Sequence, residues 1–287
     1  MLDPDDRVCW RQRIATPRGD VGRIIDAIAG MIGVAEKTVG ARASIGIGTP
    51  GSLSPRSGLL RGSNSVELNG LPLDRMIEQR LGRPVRIAND ADCFALSEAT
   101  DGAAAGARCV FGVILGTGVG AGIVIDGRLH AGRLGISGEW GHNPLPWMDA
   151  DELANVSACY CGKQGCVETW LSGPGIAAHL LPPLAGLDTQ VLASREAMGD
   201  ELAVRALDQV ADRLARALAS VINVLDPEVI VLGGGVSKIA GLYPRVNRQL
   251  GNYVFSDDCD TPVVPSRHGD ASGVRGAAWL WPRSGSL

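Results

Sequence analysis

Val110-Phe-Gly-Val-Ile-Leu-Gly-Thr-Gly-Val-Gly-Ala-Gly-Ile-Val-Ile125 holds two apolar runs flanking a turn with glycine at positions 116, 118, 120 and 122. Short apolar runs bounded by turn residues are strand-like, and Asp126-Gly127 directly after the second run is a hairpin signal. Glycine lets a backbone approach a phosphate closely and point successive N–H groups at it. The same residues would serve an ordinary β-turn or bulge, so the pattern alone leaves both readings open. No Lys-Ser/Thr pair closes the loop and a strand follows it, so it fits neither a P-loop nor a dinucleotide fingerprint.

Outward from this hairpin, strand and helix signals alternate. Asp20 can cap a helix with Ile24, Ile28 and Ile32 on one face, and residues 43–47 read as a buried strand ending in Gly48-Thr-Pro-Gly51. A helical pattern over 73–81 stops at Gly82 and Pro84, and Val85-Arg-Ile-Ala88 is a short strand delivering Asn89-Asp90. Residues 128–173 read mostly as loop. A long helix over about 202–225 carries Leu207, Val210, Leu214, Leu218, Val221 and Leu225 on one stripe and stops at Asp226-Pro227. The strand Val229-Ile-Val-Leu232 then opens into Gly233-Gly234-Gly235, either a tight turn or a side-chain-free wall for a flat ring. Two α/β blocks follow from this order, 1–105 and 106–287, with a ligand cleft between them and the last helix free to pack back on the first block.

The net charge of −4 sets the overall field against a nucleic-acid or anionic-membrane partner. No window of about 18 apolar residues is present, and the acidic start Met1-Leu-Asp-Pro-Asp-Asp6 is unlike a signal peptide, so a cytoplasmic location and a small-molecule partner are expected. Cys159, Cys161 and Cys166 crowd into eight residues, and with His142 they offer the donor set of a closed structural zinc site. Three free reduced thiols are the alternative. Asn89-Asp90 stands at a strand end, where a carboxylate could take the proton of a hydroxyl during phosphoryl transfer, or could simply cap the next helix. Glu139 and Glu168 bracket the cysteines and suit sugar hydroxyls, although isolated carboxylates are more often plain surface residues.

Taken in order, these segments resemble the ROK family of sugar kinases. Gly48-Thr-Pro-Gly-Ser-Leu-Ser-Pro55 with Asn64-Ser65 is similar to the family's sugar-side loop, and Asn89-Asp90-Ala91 to its catalytic strand end. Residues 115–122 resemble a phosphate loop, and Val229-Ile-Val-Leu-Gly-Gly-Gly-Val-Ser237 the adenosine motif. Gly138-Glu-Trp-Gly-His-Asn-Pro-Leu-Pro146 with Cys159-Tyr-Cys-Gly-Lys-Gln-Gly-Cys-Val-Glu168 looks like the sugar-and-zinc signature. Pro144-Leu-Pro-Trp-Met-Asp149 and the run His268–Trp281 look most like bacterial fructokinase and mannokinase, with N-acetylglucosamine kinase next.

The resemblance implies a two-lobed, actin-like, hexokinase-type α/β fold that closes on a hexose and MgATP, usually as a homodimer. It makes Asp90 the general base and places Asn64, Asn89, Glu139, His142 and Glu168 around the sugar. It assigns structural zinc to His142, Cys159, Cys161 and Cys166, leaving the second His142 nitrogen free for the sugar. ATP falls to Gly116, Thr117, Gly118, Gly120 and Gly122 and to Gly233, Gly234 and Gly235. Fructose is the expected substrate, with N-acetylglucosamine or glucose as alternatives and an inactive sugar-binding protein as a further one. Two departures stand out. Asp92 replaces a family Asn, which adds a charge beside the base. The family's first Asp-x-Gly-Gly-Thr turn is absent before Arg7–Pro17, so the first strand of the amino-terminal lobe is expected to be missing through truncation by about 15–20 residues, a hairpin's length.

Overall fold

The computed structural model describes residues 1–17 and 19–281, so the last six residues of the expected second block lie outside the described residues. Helix α1 (Val21–Val39) begins where the Asp20 side chain accepts the Arg23 N–H and ends at Gly40, whose φ of 74° closes the helix in the left-handed region. Strand β1 (Gly46–Thr49) leads into a small hairpin of β2 (Ser52–Leu53) and β3 (Leu60–Arg61), then α2 (Leu73–Leu81) and β4 (Arg86–Asn89). β4 lies parallel to β1, in register from Gly46 with Arg86 to Thr49 with Asn89. Ile24 and Ile25 of α1 pack with Leu60, Leu73, Ile77 and Val85 to form the core of this block.

After α3 (Asp90–Thr100) comes a five-stranded sheet, β5 (Cys109–Leu115), β6 (Val119–Ile125), β7 (Arg128–Leu129), β8 (Val229–Gly233) and β9 (Val263–Pro265), in the order β7-β6-β5-β8-β9. Between β7 and β8 run α4 (Ala150–Ala154), α5 (Val167–Leu171), α6 (Gly173–Ala178), α7 (Thr189–Ala197) and the long α8 (Glu201–Leu225). α9 (Leu242–Gln249) precedes β9, and α10 (Ser272–Ala278) follows it. The loop expected over 128–173 thus contains short helices. No described helix is long and apolar enough to cross a membrane.

Period-two alternation in β5 and β8 divides the second core into two layers. Phe111, Val113, Leu115, Ile230 and Leu232 face Leu207, Val210, Leu214 and Leu218 of α8. Val110, Val229 and Val231 turn the other way, toward Phe94, Ala95, Leu96 and Ala99 of α3. α3 therefore packs on the sheet of the second block although it precedes residue 105. It lies close because glycine replaces a side chain under it on three strands. A Cβ at Gly112 would stand 2.7 Å from Ala95, one at Gly122 2.8 Å from the Asp92 Cα, and one at Gly233 2.4 Å from the Phe94 ring.

α10 returns to the first block and covers the other side of α3 and the edge of β1. A Cβ at Gly276 would fall 1.6 Å from the Cys93 carbonyl oxygen, and one at Gly46 1.7 Å from that of Ala277. Trp281 Nε1 donates to the Ile45 carbonyl at 2.7 Å just beyond.

These contacts are backbone against backbone and cannot relax by a rotamer change. Gly276→Ala is therefore expected to lose at least about 2–3 kcal/mol in urea denaturation, at the upper end of overpacking costs. Gly30→Ala, in an exposed stretch of α1 with nothing within 4 Å, is the control and should gain about 0.5–1 kcal/mol. Equal behaviour of the two variants would show that α10 does not seat on α3.

Candidate active site

β4 hands over directly to α3, so Asn89 and Asp90 stand at the carboxyl end of the β1–β4 pair. The N-cap is Asn89, whose Oδ1 accepts the Ala91 N–H at 2.8 Å; Asp90 Oδ1 accepts the same N–H at 2.9 Å as the first residue of the helix. Asn89 Nδ2 also donates to the Gly51 carbonyl at 3.1 Å. Gly51 is wedged against Arg61 O and Ser63 N, where a Cβ would come within 2.3 and 2.7 Å. One amide thus draws the loop bearing the exposed Asn64 to the start of α3.

Burial raises the Asp90 carboxyl more than its two backbone hydrogen bonds lower it, which makes it a stronger base than a free aspartate. Asp92 is lifted further, to about 7, by burial and then by repulsion from Glu139 and Asp90. Its Oδ1 is buried and without a hydrogen-bond partner among the described residues. Three carboxylates, Asp90, Asp92 and Glu139, therefore share one electrostatic neighbourhood.

Gly138, at φ 94°, would place a Cβ 2.2 Å from Ala121 O, and Gly141 would place one 2.4 Å from Val119 O. The turn carrying Glu139 and His142 is thereby pressed onto the backbone of β6. Glu168 reaches the same strand from α5, where its Oε2 accepts the Val119 N–H at 2.9 Å. Gly118 leaves room for it, since a Cβ there would be 2.8 Å from that oxygen, and the Gly173 N–H donates to Gly116 O at 2.8 Å.

Parallel pairing of β5 with β8, from Val110 with Val229 to Ile114 with Gly233, brings the turn at 116–118 beside Gly233–Gly235. At φ 86°, Gly234 lies so near the Leu115 carbonyl that a Cβ would be 2.4 Å away. Beside it opens a cavity of about 580 Å³ lined by Gly234, Ser237, Lys238, Tyr243, Pro265, Ser266 and neighbouring residues. Of these, Gly234 and Ser237 lie in the segment likened to the adenosine motif, whereas Pro265 and Ser266 were missed because β9 is a three-residue strand ending in proline.

His142, Cys159, Cys161 and Cys166 place one ligand atom each within 4.8 Å of one another. The His142 Nδ1–Cys159 Sγ separation is 3.5 Å and Cys161 Sγ–Cys166 Sγ is 3.6 Å, close to the roughly 3.7 Å between thiolates on a tetrahedral zinc. The other imidazole nitrogen is not left free: Nε2 lies 3.0 Å from the Tyr160 hydroxyl and 3.9 Å from Glu139 Oε2. Behind the cluster, Arg216 donates to the Pro146 and Trp147 carbonyls at 2.9 and 3.0 Å, and with Arg213 it grips Glu152. Burial would raise that carboxyl, but the two arginines outweigh it and hold Glu152 at about 2.

The sequence pattern described as "ROK family" matches residues 1–284. The chain belongs to the ROK family. It is 39% identical over 275 residues to an N-acetyl-D-glucosamine kinase of Photobacterium profundum, covering 94% of this chain and 90% of that one. Among solved structures, the ROK hexokinase of Thermus thermophilus superposes with a TM-score of 0.79 at 33% identity, over 92% of this chain and 87% of that one. A ROK family glucokinase from Streptomyces griseus, in complex with glucose and AMPPNP, gives 0.78 at 27% identity over 97% and 93%.

Two expectations are corrected. The kinship with fructokinase and mannokinase is not supported by these relatives, and the two segments that suggested it make packing contacts. Pro146 and Trp147 bind Arg216, Trp147 stacks on Tyr253 at 5.6 Å, and 272–278 is the helix packed on α3. The expected truncation likewise finds no support in these comparisons.

In this ROK chain, Asp92 carries a cost that depends on pH. A carboxyl that titrates near 7 when folded, against 3.8 ordinarily, binds its proton more tightly in the folded state. Stability therefore falls as pH rises from about 4 to 7, and the full deficit persists above. Asp92→Asn escapes it, so the variant should be more stable than the parent at pH 8 by on the order of 2–4 kcal/mol, with the gap closing toward pH 4. Urea denaturation across that range reads this directly; a gap independent of pH would mean that Asp92 is not the titrating group.

Proposed function

We propose that this protein is an ATP-dependent N-acetylglucosamine kinase, with Asp90 as the general base. The observation that carries the chemistry is a desolvated carboxyl at the start of α3, on the helix that lies directly on the three strands from which both glycine turns emerge. The choice of sugar rests on the 39% identical N-acetyl-D-glucosamine kinase. In phosphoryl transfer the hydroxyl oxygen bonds to the γ-phosphorus while the bond to the leaving ADP oxygen breaks, and the hydroxyl proton passes to Asp90.

Asn64, Asn89, Glu139, His142 and Glu168 are assigned to the sugar, as donors and acceptors on loops that meet at the start of α3 and the glycine hairpin. The turn 116–122 supplies N–H groups for the phosphates, and Gly233–Gly235 with the adjoining cavity takes the adenosine. Mg²⁺ bound with ATP neutralises charge on the transferring phosphoryl group. Residues 1–105 and 106–287 form the two lobes, with α3 and α10 shared between them. A homodimer is carried over from the family resemblance. Zinc on His142, Cys159, Cys161 and Cys166 would have four protein ligands and no open position, so its part would be to tie together the two segments that carry Glu139 and Glu168.

A coupled ADP-release assay over N-acetylglucosamine, glucose, mannose and fructose tests the reading; the highest kcat/KM is expected for N-acetylglucosamine. With that sugar, Asp90→Asn should lower kcat by at least about a hundredfold while sugar affinity stays within a few-fold, because the amide keeps the shape but cannot take the proton. A near-normal kcat would remove Asp90 from the chemistry.

Metal analysis of protein purified without chelator should find one zinc per chain. Stripping it should abolish sugar binding in calorimetry, because thiolate ligands make the metal part of the fold. Metal-free protein that binds sugar normally would refute the assignment.

A further inference from the structure

Glu98 lies on α3 eight residues beyond Asp90 and is fully buried. Its carboxylate collects four donors. Oε2 accepts the Ala103 N–H at 2.8 Å and the Arg267 N–H at 3.0 Å, while Oε1 accepts the Ser272 hydroxyl at 2.7 Å and the His268 N–H at 3.4 Å. Three of the four belong to one distant segment, 267–272. That segment leaves β9 at Pro265 and becomes α10 at Ser272.

Both ends of the segment bear on the reaction. Pro265, Ser266 and Gly269 form one wall of the cavity beside Gly234. At the other end, α10 seats on the first turn of α3, with Gly276 against the Cys93 carbonyl and a Cβ at Gly273 standing 3.8 Å from the Asp90 carbonyl oxygen. Asp101, at the end of α3, joins the same elements again, accepting Arg275 Nε at 2.8 Å and lying 3.1 Å from His268 Nε2. The two ties differ in kind. Asp101 holds only side chains of the segment, whereas Glu98, itself fully buried, holds its backbone through the Arg267 and His268 N–H groups and holds the Ser272 hydroxyl, which is fully buried and would be left unpaired in the interior.

We propose that Glu98 is a positioning residue for phosphoryl transfer: it fixes the cavity wall 265–269 against the helix that starts at Asp90, and so sets the spacing between bound nucleotide and base. This rests on reading the cavity as the nucleotide pocket and Asp90 as the base. Transfer requires the reacting atoms at near-contact distance, and a displacement of about 1 Å far from the chemistry can cost a hundredfold in rate. Of the sugar-side residues, Asn64, Glu139, His142 and Glu168 are held by other loops, and Asn89 is held by its cap on α3 and by the Gly51 carbonyl, so loosening 267–272 acts on the nucleotide and leaves the sugar alone.

The test compares Glu98→Ala, Glu98→Gln and Asp101→Asn in the full chain by steady-state ADP release, with sugar affinity measured by calorimetry without nucleotide. Glu98→Ala should raise the KM for ATP and lower kcat, each by about tenfold, while the sugar Kd stays within about twofold. Glu98→Gln retains one acceptor oxygen and should fall between it and the parent, and Asp101→Asn should stay near the parent. If Glu98→Ala does not fold, Ser272→Ala decides the matter: it removes one donor, and a two- to threefold rise in the KM for ATP at unchanged sugar Kd is expected. An unmoved KM for ATP in an active, folded Glu98 or Ser272 variant overturns the proposal, as does a parallel loss of ATP and sugar affinity. A parent that releases no ADP with any sugar overturns the kinase reading instead, and this proposal with it.

Discussion

Absence of a Cβ at four glycines is the constraint on which the rest of the structure depends. Gly112, Gly122 and Gly233 let α3 rest on the backbone of three neighbouring strands, and Gly276 lets α10 rest on the backbone of α3. Direct contact of this kind fixes the helix axis to within a side-chain rotation, because nothing between the two backbones can repack. The Asp90 carboxyl is carried at the tip of that helix, and the glycine turns at 116–118 and 233–235 emerge from the strands beneath it. Asp90 and both glycine turns are thus fixed to one rigid unit.

The thiol loop solves a different problem, that of holding polar side chains on irregular backbone. Its residues are tied from two sides, by the cluster of His142 and the three cysteines and by Arg213 and Arg216 around Glu152. Glu139 and Glu168 then approach β6 from separate segments, and Glu168 closes the arrangement by accepting the Val119 N–H. The carboxylate proposed for the sugar is consequently bonded to the hairpin proposed for the phosphates, so the two proposed halves of the site share a hydrogen bond.

Much of this was legible in the sequence wherever one physical signal dominated. The stripe over 202–225, the cap at Asp20 and the apolar runs around the glycine hairpin were read to within a few residues, because period and punctuation agreed there. The last helix was expected to be free to pack back on the first block, and α10 does so, but its seat on α3 was not legible: Ser-Gly-Val-Arg-Gly has poor intrinsic helix propensity and is helical because its glycines permit the contact with Cys93 and Asp90. Glu98 gave no signal, since a glutamate on a helix is ordinarily exposed and its four partners come from a loop and from residues about 170 positions away. The second nitrogen of His142 was expected to be free on the family resemblance alone, and no pattern in the sequence pointed to the Tyr160 hydroxyl that lies 3.0 Å from it. The expectation of fructose rested on the likeness of segments 144–149 and 268–281, whereas the 39% identical relative is an N-acetyl-D-glucosamine kinase.

The return of α10 to the first block also bears on how the chain is made. β1 is covered by Ala277 and Trp281, and α3 is buried between α10 and strands that end with residues 233 and 265. During synthesis the first hundred residues emerge long before any of these partners exist. The amino-terminal block must therefore wait, with the edge of β1 and the apolar sides of α3 uncovered, until the last residues leave the ribosome. In this protein the order of translation and the order of folding run in opposite directions, and the nascent chain is most exposed to aggregation and to chaperone capture at the end that was made first.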